Sequence, residues 1–131
     1  MGNKLEERPG YEFYKVGSRL YEDENYAEAI PYLEKAVEAG NVDAMCNLGH
    51  AYNLGNGVPL DITKAIECYT MASDLGYTTA DINLGYLYES GKYVPRDRNK
   101  AIYYYKHAAK NGDAYGARLV RELSVDDDYE I

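Results

Sequence analysis

This chain of 131 residues has no tryptophan, one phenylalanine, two cysteines and four prolines. Each shortage excludes something. No stretch approaches the roughly 18 consecutive apolar residues that a bilayer-crossing helix needs. Met1 to Gly10 is charged and lacks an apolar centre, so it does not read as a secretory signal, and the cytoplasm is the expected location. Gly2 follows the first Met, but Glu6 stands where a myristoylation signal needs Ser or Thr. Cys46 and Cys68 are too few and too far apart for a metal-ligand pattern, and without an export signal they are expected as reduced, buried, apolar side chains. Basic residues are scarce, 14 Lys and Arg against 22 Asp and Glu, which argues against general nucleic-acid binding. His50 and His107 sit in no ligand spacing, and no Gly-x-Ser-x-Gly nucleophile turn occurs, so no catalytic residue, metal or cofactor is expected.

What the chain does have is a 36-residue period. Ala29, Ala65 and Ala101 recur at that interval, as do Ile30, Ile66 and Ile102, Ala36, Ala72 and Ala108, and Gly40, Gly76 and Gly112. A period of this length is one helical hairpin repeated, and since a lone hairpin cannot bury its apolar face, copies must stack. The expected fold is all-α: a right-handed solenoid of three antiparallel hairpins and a closing helix. Apolar spacing and punctuation place helices at about 11–23, 26–39, 42–54, 61–75, 79–90, 97–111 and 113–123. Asn25 with Glu28 reads as a capping box, and Asp61, Thr78 and Asp97 as further caps. Gly40, Gly76 and Gly112 stand where a left-handed residue ends a helix.

The first hairpin is shorter than its successors. Gly17 to Ala29 spans 12 residues, whereas Gly49 to Ala65 and Gly85 to Ala101 span 16. The added residues fall in Leu54-Gly55-Asn56-Gly57-Val58-Pro59 and Ser90-Gly91-Lys92-Tyr93-Val94-Pro95. Gly55-Asn56-Gly57 is read as a turn and not a phosphate cradle, because no strand precedes it and no Lys-Ser/Thr follows.

The run from Ala44 to Gly76, through Leu48-Gly49, Tyr52, Gly55, Gly57-Val58-Pro59, Asp61, Lys64-Ala65, Tyr69 and Ala72, resembles a Sel-1-like repeat. Ala80 to Gly112 resembles a second, through Leu84-Gly85, Tyr88, Gly91, Val94-Pro95, Asp97, Lys100-Ala101, Tyr105, Ala108-Ala109 and Gly112. Tyr11 to Gly40, without the insertion, is closer to the related tetratricopeptide repeat, through Gly17, Tyr21, Tyr26-Ala27, Ala29-Ile30, Leu33 and Ala36. The organisation is then an N-terminal extension at 1–10, a tetratricopeptide-like hairpin at 11–40, Sel-1-like repeats at 41–76 and 77–112, a capping helix at 113–123 and an acidic tail at 124–131. The resemblance implies a non-enzymatic scaffold or adaptor that binds a protein or peptide on its concave face, lined by the first helix of each pair. Some secreted, cysteine-rich members are associated with β-lactam binding or hydrolysis, but their paired cysteines match Ala72 and Ala80 here, which makes a hydrolase a distant third reading.

Motif residues of such a repeat are used up in packing, so specificity has to come from positions that the period leaves free. Aligning the first helices by Gly17, Gly49 and Gly85 puts Lys15, Asn47 and Asn83 in one column and Ser18, His50 and Tyr86 in the next, with Tyr14 and Asn53 extending the surface and Arg118 beside it. Asparagine both donates and accepts, which suits an extended backbone, while Lys15 or Arg118 suits a carboxylate. Sixteen tyrosines add apolar area with a polar tip. In the run Tyr103-Tyr104-Tyr105 successive side chains lie about 100° apart, and Tyr103 is the one expected to face outward.

Charge is segregated. Residues 1–91 carry six Lys and Arg against fifteen Asp and Glu, residues 92–123 carry eight against three, and 124–131 add four acidic residues. This supports the competing reading, a self-assembling repeat protein in which acidic copies meet a neighbour's basic third copy, or the tail docks by charge. The tail itself is not expected to extend the last helix far, because three successive aspartates repel.

Overall fold

In the computed structural model, residue 4 and residues 7–129 are described, the side chains of 125–129 excepted. Seven helices and no strand occur among them: α1 (Tyr11–Glu22), α2 (Tyr26–Glu38), α3 (Val42–Leu54), α4 (Ile62–Asp74), α5 (Thr78–Ser90), α6 (Arg98–Lys110) and α7 (Ala114–Tyr129). Two compact units are present, residues 1–72 and 73–131.

The small residues of the period mark where helices touch. Ala29, Ala36, Ala65, Ala72, Ala101 and Ala108 are all fully buried. In the first unit α1 packs on α2 and α2 on α3, around Ile30, Leu33, Leu48 and Cys68, with Tyr14, Tyr21, Tyr52 and Val58 at the edge. In the second, α5 packs on α6 and α6 on α7, around Ile82, Tyr105, Leu119 and Leu123. Gly49 and Gly85 admit the rings of Tyr69 and Tyr105, the two largest fully buried side chains. The tyrosine run behaves as its spacing predicts: Tyr105 is 0% exposed, Tyr104 half-buried and Tyr103 62% exposed.

The long connections are anchored identically. The Asp61 N–H donates to the Tyr52 carbonyl and the Asp97 N–H to the Tyr88 carbonyl, each at 2.9 Å. Gly57, with φ at 78°, lies against the backbone of Tyr26 so closely that a Cβ would sit 2.6 Å from its carbonyl, which is why this turn needs glycine.

Two of the four expected caps are made and two are not. Asp61 and Asp97 accept from the backbone N–H groups of Lys64 and Lys100. Asn25 occupies the N-cap of α2 without a side-chain bond, because its backbone (φ −87°, ψ 63°) is not in the extended region from which a cap reaches the first-turn amides. Thr78 is already the first residue of α5, one position too late, and Tyr77 precedes it. Asn41, not singled out from sequence, does cap α3: its Oδ1 accepts from Ala44 N–H at 2.9 Å while its Nδ2 donates to the Pro9 carbonyl. Asp113 does the same for α7, accepting from Tyr115 and Gly116.

The last helix runs to Tyr129, beyond the expected end at residue 123 and into the acidic tail. No glycine or proline follows Leu123 to stop it, so backbone hydrogen bonding continues. Whether the tail docks falls outside the described side chains.

Cys46 and Cys68 are both buried, and burial pushes the Cys68 thiol up to about 11. Thiol titration of native protein near neutral pH is therefore expected to find two slow groups that become fast on unfolding. Finding none in denaturant without reductant would reveal a disulfide and overturn the reduced assignment.

Candidate functional site: first-helix surfaces of the two units

On the first unit, α1 and α3 bring Tyr14, Ser18 and Asn47 together. The Tyr14 side chain is half-buried with Ser18 and Asn47 near its hydroxyl, and burial, with Asp43 nearby, raises its pKa. Lys15 is exposed on the same helix. His50 is used differently from its column neighbours. Its Nδ1 lies 3.0 Å from the Tyr69 hydroxyl, the rings meet edge to face at 5.5 Å, and burial lowers its pKa. It is thus tied to the core ring rather than offered whole to a partner. Asn53 Oδ1 is buried with no hydrogen-bond partner among the described residues, an open acceptor at the end of the row.

On the second unit, Tyr86 of α5 and Tyr115 of α7 join hydroxyl to hydroxyl. That bond, more than burial, pushes Tyr86 up to about 12. The Arg118 guanidinium stacks 4.8 Å from the Tyr115 ring centroid. Tyr105 approaches Tyr86 edge-on at 6.1 Å, and its hydroxyl donates to Glu89 Oε1 at 2.6 Å. Beside these lies an open pocket of about 380 Å³ lined by Tyr86, Glu89, Ser90 and Arg96. Asn83, half-buried on the same helix, already has an interaction of its own. Of the sequence candidates here, Tyr86 and Arg118 share one surface. Tyr115, Glu89 and Arg96 were missed, since Tyr115 and Arg96 lie outside the aligned first helices and Glu89 belongs to neither aligned column.

A second polar cluster was not foreseen. Ser73 Oγ donates to Asp81 Oδ1 at 2.5 Å, and His107 Nδ1 lies 2.9 and 3.0 Å from the two Asp81 oxygens. The residue types are those of a hydrolytic triad, but the wiring is not. In a triad the imidazole uses one nitrogen for the acid and the other for the serine. Here Nδ1 serves both contacts, the serine hydroxyl points at the carboxylate, and both Ser73 and Asp81 are buried. The contacts join three side chains of the second unit rather than aiming the serine at an imidazole nitrogen of its own.

No group of three or more His, Cys, Asp or Glu among the described residues is placed to hold a metal ion. No described helix is long and apolar enough to cross a membrane.

Comparison with known proteins agrees with this architecture. No curated protein matches the chain. Among solved structures, a Sel1 repeat protein from Oxalobacter formigenes superimposes with a TM-score of 0.74 at 28% identity, over 85% of this chain and 47% of that one. A protective antigen of uropathogenic Escherichia coli, described as displaying an SLR fold, gives 0.71 at 30% identity, over 79% and 23%. Cysteine rich protein B of Helicobacter pylori gives 0.64 at 27% identity, over 70% and 69%. This chain thus spans about half the length of the first and under a quarter of the second. The Sel1 repeat model matches residues 10–41, 42–77 and 78–113, so it takes in the short first hairpin as well as the two longer ones. With three successive repeats matched and the same all-α fold in each of these solved relatives, the chain belongs to the Sel1 repeat family.

Proposed function

We propose that this protein is a non-enzymatic interaction module that holds a protein or peptide along the first helices of its repeats, the concave face that the repeat pattern implies. Sel1 repeats typically serve as protein-interaction scaffolds, and the chemistry of these surfaces suits that role. The observation that carries the reading is the Tyr86–Tyr115–Arg118 cluster: rings 42% and 38% exposed, oriented by a hydroxyl contact and a stacked guanidinium. Tyrosine and arginine so held are the residue types that dominate binding energy at protein interfaces. The repeat residues themselves are spent on packing, and the triad-like cluster is wired as a clasp.

The test is a pull-down with mass spectrometry to identify the partner, followed by affinity measurements on variants. Replacing Asn47 and Asn83 together by Ala is expected to weaken binding by about 1 to 3 kcal/mol with little change in melting temperature. Unchanged affinity would move the site to the other helix faces or the loops.

Self-assembly is the second reading, and the charge segregation between residues 1–91 and 92–123 favours it specifically. Size-exclusion chromatography with light scattering across a salt series decides it. A monomer at every ionic strength removes the idea.

A further inference from the structure

Two cations lie near Tyr86. Arg96 lines the pocket together with it, and Arg118, stacked on the Tyr115 ring whose hydroxyl meets that of Tyr86, lies close enough to act electrostatically on the Tyr86 hydroxyl. Both arginines are exposed. Arg96 has no ion-pair partner among the described residues. Arg118 has one, Glu122 four residues on at 3.5 Å, with both side chains more than half exposed. A pair of that kind contributes little and is readily exchanged for a better partner.

Glu89, which also lines the pocket, carries the opposite sign. Glu89 spends Oε1 on the Tyr105 hydroxyl, and its other oxygen remains to accept. A ring with two guanidiniums nearby and a carboxylate acceptor alongside matches an extended acidic segment. Its carboxylates would pair with the arginines, its main-chain N–H would donate to Glu89, and its side-chain stems would lie on the tyrosines. The wider charge supports this, since residues 92–123 are the basic part of an otherwise acidic chain.

We propose that the Tyr86–Arg96–Arg118 surface of the second unit is a docking site for an extended acidic peptide segment, whose carboxylates pair with Arg96 and Arg118. The inference rests on the interaction-module reading and names the chemistry of the partner.

The test uses the full chain and fluorescein-labelled octapeptides in which Leu alternates with Glu, Gln or Lys. Fluorescence anisotropy is expected to show binding of the Glu peptide alone, lost in about 0.5 M salt. Exchanging both arginines, Arg96→Gln with Arg118→Gln, is expected to weaken it about tenfold or more. The pair Arg19→Gln with Lys35→Gln removes the same net charge from the first unit and is expected to leave affinity nearly unchanged, which separates local recognition from bulk attraction. Circular dichroism melts confirm that each variant is folded.

No measurable binding of the Glu peptide, equal binding of the Gln peptide, or equal loss in both double variants would overturn the proposal. If the acidic peptide fails while Asn47→Ala with Asn83→Ala still weakens the partner recovered by pull-down, only this inference falls. If that pair also has no effect, the first-helix reading falls with it.

Discussion

Gly85→Ala is expected to destabilise the protein by about 2 kcal/mol, although alanine is the better helix former. The propensity gain is about 1 kcal/mol in favour of Ala. Against it stands a Cβ that would lie 2.2 Å from Tyr105 Cε1 and 2.7 Å from both Cδ1 and Cζ. That ring is fully buried and its hydroxyl is held by Glu89, so it cannot swing aside without giving up its packing and its hydrogen bond. Overpacking of this kind costs about 1 to 3 kcal/mol and occasionally more. Gly49→Ala meets Tyr69 Cε1 at 2.6 Å and should cost somewhat less. At Gly17 a Cβ would meet Leu33 Cδ2 at 2.9 Å, Cγ at 3.1 Å and the backbone N at 3.2 Å, a milder clash than with either ring, so Gly17→Ala should cost the least of the three. Urea unfolding followed by far-ultraviolet circular dichroism gives the order. Equal effects at the three glycines would show that ring insertion is not what the position protects.

The second large effect is expected at Asp81. Its carboxylate is 0% exposed and takes hydrogen bonds from Ser73 and His107. Asp81→Ala leaves the buried Ser73 hydroxyl without its acceptor and removes the imidazole's partner. An unsatisfied buried group costs about 1 to 3 kcal/mol. His107 is partly exposed and can turn to water, so the buried Ser73 hydroxyl and the space left by the carboxylate set the cost, and a loss of about 2 kcal/mol is the expected result. Asp81→Asn keeps one acceptor but turns an amide toward one of the donors, and about half that loss is expected. A variant of wild-type stability would mean that the clasp contributes nothing net. Ser73, Asp81 and His107 all belong to the second unit, where the clasp adds a polar tie beside the helix packing that the period already provides.

The expected row of binding residues was only partly legible. Register aligned Ser18, His50 and Tyr86 in one column, yet the three have different surroundings. The Ser18 hydroxyl donates to the Lys15 carbonyl of its own helix, His50 leans on Tyr69, and Tyr86 pairs with Tyr115. Alignment reports which way a Cβ points, not which distant side chain lies within reach. Tyr115 belongs to the closing helix, outside the repeat, and no spacing rule connects it to Tyr86. The missed cap at Asn41 has a similar cause, since half of its hydrogen bonding goes to Pro9, 32 residues away.

The sequence by itself determined that the chain is a stack of helical hairpins, where six of the seven helices begin and end to within about a residue, and which alanines, glycines and tyrosines are consumed in packing. Those properties repeat because each copy solves the same local problem of bringing two helices close enough to bury a large side chain, Leu33 in the first copy and a tyrosine ring in the next two. Only the tertiary structure decided which polar side chains are satisfied internally and which face outward for a partner. Ser73, Asp81 and His107 are separated by 8 and 26 residues, and Tyr86 and Tyr115 by 29, so their meeting depends on how whole helices pack and which rotamer each chain adopts. A period of identical small residues constrains the first and is silent on the second.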